Sequence, residues 1–308
     1  MKPTNPQPTQ PYSYLRLFLT GFGMGSADLV PGVSGGTIAF IFGIYEQLIN
    51  SIKTVTGETL KLALQFKIKQ AIQSIPFTFL IPLFAGIAVA ILSLSKLLEH
   101  LLTNQPVYVW SFFFGLVIVS IYLVSQKITN WQPRSIIALI FSSIVAYIIV
   151  GAVPQETPAN PIFFLLSGAI AISAMILPGI SGSFLLVIMG KYQQILTAVN
   201  QRDIVTLGIF MIGIVVGISL FSRLLSWLFK NYHNMTIAIL TGFMIGSLRK
   251  IWPWKETILT RIDSHGIEVP VVQNNILPST MDSTVLFAIA LAVLAGWLML
   301  YLSKLDKK

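Results

Sequence analysis

The chain has 308 residues, 55% of them hydrophobic and only 10% charged, with a mean hydropathy of +0.79. A soluble domain carries about 25% charged residues, so this composition excludes one and indicates a polytopic membrane protein. The net charge of +9 then reads as cationic loops against an anionic cytoplasmic leaflet and not as nucleic-acid binding, while the lack of cysteine excludes disulfides, thiol catalysis and cysteine-ligated metal.

Residues 1–13 are polar and Pro-rich, which predicts a short disordered tail ahead of one membrane domain over 14–308. Apolar runs at about 14–28 and 36–52 flank the string LVPGVSGGT, Leu29 to Thr37. A Pro-Gly step there ends any helix arriving from the left, because Pro lacks an N–H and Gly tolerates positive φ. Ser34 follows as a good N-cap, so the pattern predicts half-helix, turn, half-helix. Residues 54–73 mix lysines with apolar residues and predict a helix lying on the membrane surface. Runs at about 75–98, 107–126 and 135–153 are long enough to span. The pattern then starts again, with runs at about 161–177 and 183–199 around ILPGISGSF, Ile176 to Phe184, followed by 204–229, 235–248 and 284–303. The loop from Arg249 to Ser283 is polar and expected to be irregular.

Shifting the chain by 147 superposes the two broken segments without a gap. Gly21 falls on Gly168, Ser26 on Ser173, Pro31 on Pro178, Gly32 on Gly179, Ser34 on Ser181, Gly35 on Gly182, Gly43 on Gly190 and Tyr45 on Tyr192. A second register, shifted by 127, pairs Gly86 with Gly213, Ser95 with Ser222, Gly115 with Gly242 and Ser120 with Ser247. Matched Pro, Gly, Ser and Tyr in one order mark a duplicated unit, repeat 1 at about 14–153 and repeat 2 at about 161–303. If both broken hairpins are re-entrant and the N-terminus is cytoplasmic, most of the 20 lysines and arginines lie inside; if both hairpins span, most lie outside. The positive-inside rule favours the first. Each unit then has three spans, an odd number, so the second copy is upside down and both termini are cytoplasmic. The expected fold is therefore all-α, built from two inverted repeats with re-entrant broken-helix hairpins, as in secondary transporters.

Ser34, Gly35, Gly36 and Thr37, with Ser181, Gly182 and Ser183, offer N–H groups and hydroxyls to an anion, or else pack closely as small residues. Pro31, Gly32, Pro178 and Gly179 shape the turns. Asp28 and Glu46 are the only acids of the first hairpin; Met175 and Gln193 replace them in the second. An intramembrane carboxylate costs about 2.5 to 3.5 kcal/mol on insertion scales, so Asp28 is either a coupling-proton or gating group or the cap of its turn. Glu46 is a gate or an interfacial acid. Lys96 and Arg223 coincide in the 127 register within SKLL and SRLL, and serve as counter-charges for an anion or as snorkelling anchors. The three histidines are isolated and no metal-ligand spacing or cofactor motif occurs.

Three strings carry a specific resemblance: GMGSADLVPGVSGGTIAFIFGIYEQLI from Gly23, ISAMILPGISGSFLLVIMGKYQQIL from Ile172, and GSLRKIWPWK from Gly246. They resemble the polyprenyl-phosphate translocases of the PopT type, long catalogued only as a membrane domain of unknown function. The resemblance covers nearly everything from Tyr14 to about Leu305. It implies recycling of undecaprenyl phosphate across the bacterial plasma membrane for cell-envelope synthesis, with that lipid and the bilayer as partners and protons as a candidate coupling ion. The turn is also similar to the PG-x-S-R-S loop of membrane undecaprenyl-pyrophosphate phosphatases, but Gly35 and Gly182 stand where those enzymes have Arg. That departure leaves phosphatase chemistry as the alternative, beside an ion-coupled carrier of small anions.

Overall fold

The computed structural model describes residues 12–30, 32–262 and 268–305. Most of the expected N-terminal tail, and Pro31, lie outside these residues. Helix α1 (Tyr14–Asp28) stops three residues before the proline, and Gly32 takes φ +86°, a conformation only glycine adopts freely. Ser34 then caps α2 (Gly35–Ile41), its hydroxyl accepting the N–H of Gly36 at 3.1 Å. Gly43, at φ +71°, turns the chain into α3 (Tyr45–Thr54), which runs through one π-helical turn (Val55–Thr59) to α4 (Leu60–Leu64) and α5 (Ile68–Ser74). Long helices follow: α6 (Phe77–Asn104), α7 (Pro106–Ser125) and α8 (Pro133–Val150). The second half repeats this order with α9 (Pro161–Ile176), α10 (Gly182–Ile188), α11 (Lys191–Asn200), α12 (Ile204–Asn231) and α13 (His233–Ile251). An antiparallel pair, β1 (Lys255–Ile262) and β2 (Glu268–Asn275), precedes α14 (Ser283–Leu305).

Among the described residues five helices, α6, α7, α8, α12 and α14, are long and apolar enough to cross a membrane. Their outer faces expose large apolar side chains such as Leu92, Ile137, Phe141 and Val293, a surface that suits lipid and not water. Among the long helices α13 is the most enclosed, with Thr236, Leu240, Met244, Ser247 and Ile251 all buried along it.

Four helix pairs make the frame, and each touches at glycine. A Cβ on Gly21 would lie 2.0 Å from the carbonyl oxygen of Leu83, and one on Gly86 would lie 2.0 Å from that of Phe18, so α1 and α6 meet backbone to backbone. The same contact recurs at Gly168 against Phe210 and Gly213 against Leu165, joining α9 to α12. Leu83 and Phe210 are equivalent in one repeat register, as are Phe18 and Leu165 in the other, so the duplication extends to the contacts themselves. Between the halves, Gly115 of α7 abuts Ala292 of α14, and Gly242 of α13 abuts Leu139 of α8. Gly296 against Val119 and Gly246 against Ser143 continue these two seams in step, so each pair runs parallel. Small residues at such seams let main chains approach closely where lipid offers no hydrophobic drive for helix association.

Three expectations are corrected. The runs 36–52 and 183–199 are each two helices, because Gly43 and Gly190 adopt positive φ at matched positions and break them. Residues 54–73 form short helical pieces and not one surface helix; Phe66, at φ +58°, separates α4 from α5. The loop 249–283 holds a β-hairpin and is not irregular, within a fold that is otherwise helical, consistent with an all-α membrane protein. Its strands are rich in Thr, Ile and Val, residues that suit a pleated ribbon.

The glycine seams set a stability test. Gly86→Leu and Gly213→Leu place a side chain inside a facing carbonyl and should each destabilise by about 1–3 kcal/mol or more. Gly208→Ala, inside α12 where nothing lies within 4 Å, should not lower thermal stability in detergent and should raise it slightly through helix propensity.

Candidate functional site

The two Pro-Gly turns are brought together in the interior. A Cβ on Gly36 would lie 2.8 Å from the carbonyl oxygen of Ile176, the last residue of α9, and the hydroxyl of Tyr45 donates to that same oxygen at 3.1 Å. Tyr45 is fully enclosed, its ring packed on Phe40 and Phe229. It ties the first hairpin to the second. Each hairpin also folds back on its own start. The hydroxyl of Tyr12 donates to Gly43 O and the guanidinium of Arg16 to Phe42 O, so α2 ends beside the beginning of α1. In the second copy Gln155 N donates to Ile188 O and the hydroxyl of Thr157 to Met189 O. Lys191 secures that closure from within, donating to Thr157 O, Pro158 O and the side chain of Gln194 while lying over Phe164.

The turns differ in what satisfies their free N–H groups. In the first, Oδ1 of Asp28 accepts from Gly35 N at 2.6 Å, a short charge-assisted bond, and Ser34, Gly35, Gly36 and Thr37 are all buried. Gly35 is required there, since a Cβ would lie 2.6 Å from the carboxylate. Asp28 therefore caps its turn. In the second, Met175 stands in place of Asp28, Gly182 is buried against Ala171, and the hydroxyls of Ser181 and Ser183 bond each other at 2.8 Å on the accessible side. One turn is sealed by its own acid; the other keeps two hydroxyls open.

A cation reaches both turns, and its residue was not among those expected. The stem of Lys250, in the last turn of α13, fills the space beside Gly32, where a Cβ would lie 2.6 Å from its Cγ. Its ammonium sits 4.4 Å from the ring centre of Phe184 in α10. Five residues on, the ammonium of Lys255 donates to Lys250 O at 2.6 Å and lies 3.9 Å from the ring centre of Trp110. Burial, and secondarily the charge of Lys250, push the pKa of Lys255 down from 10.5 to about 7. Trp252 and Trp254, between the two lysines in the chain, pack on each other, and Trp252 also packs against Phe114. Both lysines belong to GSLRKIWPWK, so the signal lay in the sequence, but nothing local says that α13 delivers it to the turns.

Of the remaining expected residues, Glu46 accepts from Nε2 of His233 at 3.1 Å, both half exposed at the start of α3 and α13. Lys96 and Arg223 lie on exposed flanks of α6 and α12, with the guanidinium of Arg223 beside Gly57, and neither contacts the turns among the described residues. Pro178 and Gly179 hold the second turn, Gly179 at φ +88° against Ser247 of α13, and Gly32 holds the first. No group of three or more His, Asp or Glu placed to hold a metal occurs among the described residues.

Comparison with known proteins adds a second line of observation. The undecaprenyl phosphate translocase-like family matches the chain over residues 24–269. A protein of Vibrio cholerae serotype O1 named polyprenyl-phosphate transporter is 43% identical over 302 residues, covering 96% of this chain and 98% of its own. One of the same name from Staphylococcus aureus is 32% identical over 254 residues, covering 76% and 85%. No solved structure matches at a significant level.

Two stability measurements follow from the site. Asp28→Ala should cost about 0.5–2 kcal/mol by removing the cap, while Asp28→Asn, whose amide oxygen still accepts from Gly35, should cost less. For Lys255 the folded pKa lies below the unfolded one, so the unfolded chain binds more protons between about pH 7 and 10.5. Ligand-free stability should rise with pH across that window. Lys255→Met should reduce the slope, read from thermal unfolding in detergent at a series of pH values.

Proposed function

We propose how this chain works from one premise: it belongs to the undecaprenyl phosphate translocase-like family. It is a multi-pass membrane transporter of polyprenyl phosphate and not an enzyme. We read its working unit as two inverted repeats, each opening with a re-entrant hairpin. The direction of the helices is the observation that carries this. Short links make α7 antiparallel to α6 and α13 antiparallel to α12, while α7 runs parallel with α14 and α8 with α13. Repeat-equivalent helices α7 and α13 then point in opposite directions, which inversion requires. The folding back of α2 onto the start of α1, and of α10 onto the start of α9, supports re-entry in both copies.

On this reading the two hairpins enter from opposite faces and meet at mid-depth. Ser34 to Thr37 and Ser181 to Ser183 line the path of the phosphate, and Pro31, Gly32, Pro178 and Gly179 fix its shape. The lipid tail stays outside, because each CH₂ kept in hydrocarbon is worth about 0.8 kcal/mol. An apolar groove of about 570 Å³ supports such a route. It runs between α9 and α12 past Phe243 and ends on Leu177, Ile180 and Leu185 of the second turn. Lys96 and Arg223 occupy equivalent places on oppositely directed helices, one for each leaflet, where they attract anionic lipid toward the groove. Protonation of Asp28 weakens the cap on α2, which makes it the group through which a proton gradient acts, and the Glu46–His233 pair gates the face where α3 begins. The chain sits in the bacterial plasma membrane with both termini cytoplasmic, the orientation that the positive-inside rule favours.

Reconstitution tests the transport. Liposomes carrying the protein should equilibrate undecaprenyl phosphate between leaflets faster than empty ones, and Asp28→Asn should weaken the response to a pH gradient. No acceleration would remove the transport reading. Topology is read separately in this Cys-free chain: an impermeant thiol reagent should label Gln65→Cys and Glu156→Cys from opposite faces. Labelling of both from one face would overturn the inversion.

A further inference from the structure

We propose that Lys250 and Lys255, walled by Trp110 and Phe184, form the receptor for the phosphate headgroup on the membrane face where α13 ends; this rests on the transport reading above and names the group that binds. The geometry is specific. Lys250 lies between the two turns, its stem against Gly32 of the first and its ammonium over Phe184 of the second. Lys255 is joined to it through the bond from its ammonium to Lys250 O, and lies over Trp110 of α7. Two cations are thus held close together in a largely enclosed place. Like charges so placed repel, and the pair stays fully charged at ease when an anion lies between or beside them; without one, Lys255 gives up its proton more readily.

The neighbouring elements supply no such anion among the described residues. Helix α7 presents Trp110 and Phe114, α10 presents Phe184, and the first turn presents Gly32, its Asp28 carboxylate being taken by Gly35 N; Glu256, next to Lys255 in β1, is exposed. Arg249 faces away, donating to Tyr147 O and lying over that ring, with its own carbonyl held by Asn275. The His233–Glu46 pair is at the opposite end of α13. The hydroxyls of Ser181 and Ser183 stand three and one residues from Phe184, on the open turn, and complete a set of donors around one small anion. The aromatic faces on which the ammonium groups rest attract their charge and so offset part of the cost of excluding water. The indoles of Trp252 and Trp254, between the two lysines in the chain, are of the kind that sits at a lipid headgroup boundary, so the fitting ligand is a phosphate monoester on an apolar chain.

Binding of farnesyl phosphate to the purified full-length protein in detergent tests this, with farnesol and inorganic phosphate as the other two probes. Wild type should bind farnesyl phosphate, farnesol at least about tenfold more weakly for want of a charge-assisted bond, and inorganic phosphate more weakly still for want of the chain. Affinity for farnesyl phosphate should fall between pH 7 and pH 9 as Lys255 loses its proton. Lys255→Met and Lys250→Met should each weaken binding about tenfold or more. Lys255→Arg should keep the affinity and lose most of the decline with pH, since a guanidinium stays charged. Equal binding by wild type and Lys255→Met overturns the proposal, as does equal binding of farnesol and farnesyl phosphate, or of inorganic and farnesyl phosphate. If Lys255→Met fails to fold, an undiminished pH decline in Lys255→Arg overturns it. Failure of the wild type to move undecaprenyl phosphate in liposomes would sink the transport reading instead, whatever these affinities are.

Discussion

A helix that stops inside an apolar medium leaves backbone N–H and C=O groups with no water to satisfy them, and the rest of this structure depends on how two such stops are managed. Each stop is made by a Pro-Gly step and a glycine near φ +87°, and each must find partners within the protein. The first uses an internal carboxylate and a serine hydroxyl, and the second hands the carbonyl of Ile176 across to Tyr45 of the first half. Satisfying one break therefore requires the other to be close by. That mutual need places the two turns together at the centre of the bundle.

The frame that holds them is assembled from glycine-to-carbonyl contacts, repeated in each half and across the halves. In water a core is held by apolar burial, but between helices in lipid that drive is nearly absent, and close main-chain approach takes its place. The consequence is visible in which helices pair. Helix α7 of the first repeat packs on α14 of the second, and α13 of the second on α8 of the first, so neither repeat completes its own layer. Two intertwined halves share one site, and helix α13, enclosed along most of its length, carries a lysine to it.

Duplication then allowed the copies to diverge. Asp28 closes the first turn from inside, and its counterpart Met175 cannot, so the hydroxyls of Ser181 and Ser183 remain open. Lys191 closes the far end of the second hairpin with three carbonyl bonds, while the equivalent residue of the first copy, Ile44, is simply buried. A symmetric pair would bind an anion equally from both sides. This pair is asymmetric, one turn capped by its own acid and the other with two accessible hydroxyls.

The chain by itself determined its membrane class, the two helix breaks and the duplication, because these rest on local chemistry: apolar length, the missing N–H of proline, and strings matched at a fixed offset. It also contained Gly43 and Gly190 at matched positions, yet a glycine inside an apolar run does not announce positive φ, so each broken hairpin was read one break short. The strands at 255–275 were hidden among polar loop residues, where β-branched content alone is a weak signal against a helical background. What only the tertiary structure decided is which side chains meet. Lys96 and Arg223 share a register and were natural counter-charges, but helix rotation puts them on exposed flanks, whereas Lys250, whose repeat-equivalent Leu123 carries no charge, is delivered to both turns by the packing of α13. Periodicity fixes which residues share a face of one helix; which face meets the site is settled by the glycine seams, and those are made between helices far apart in the chain.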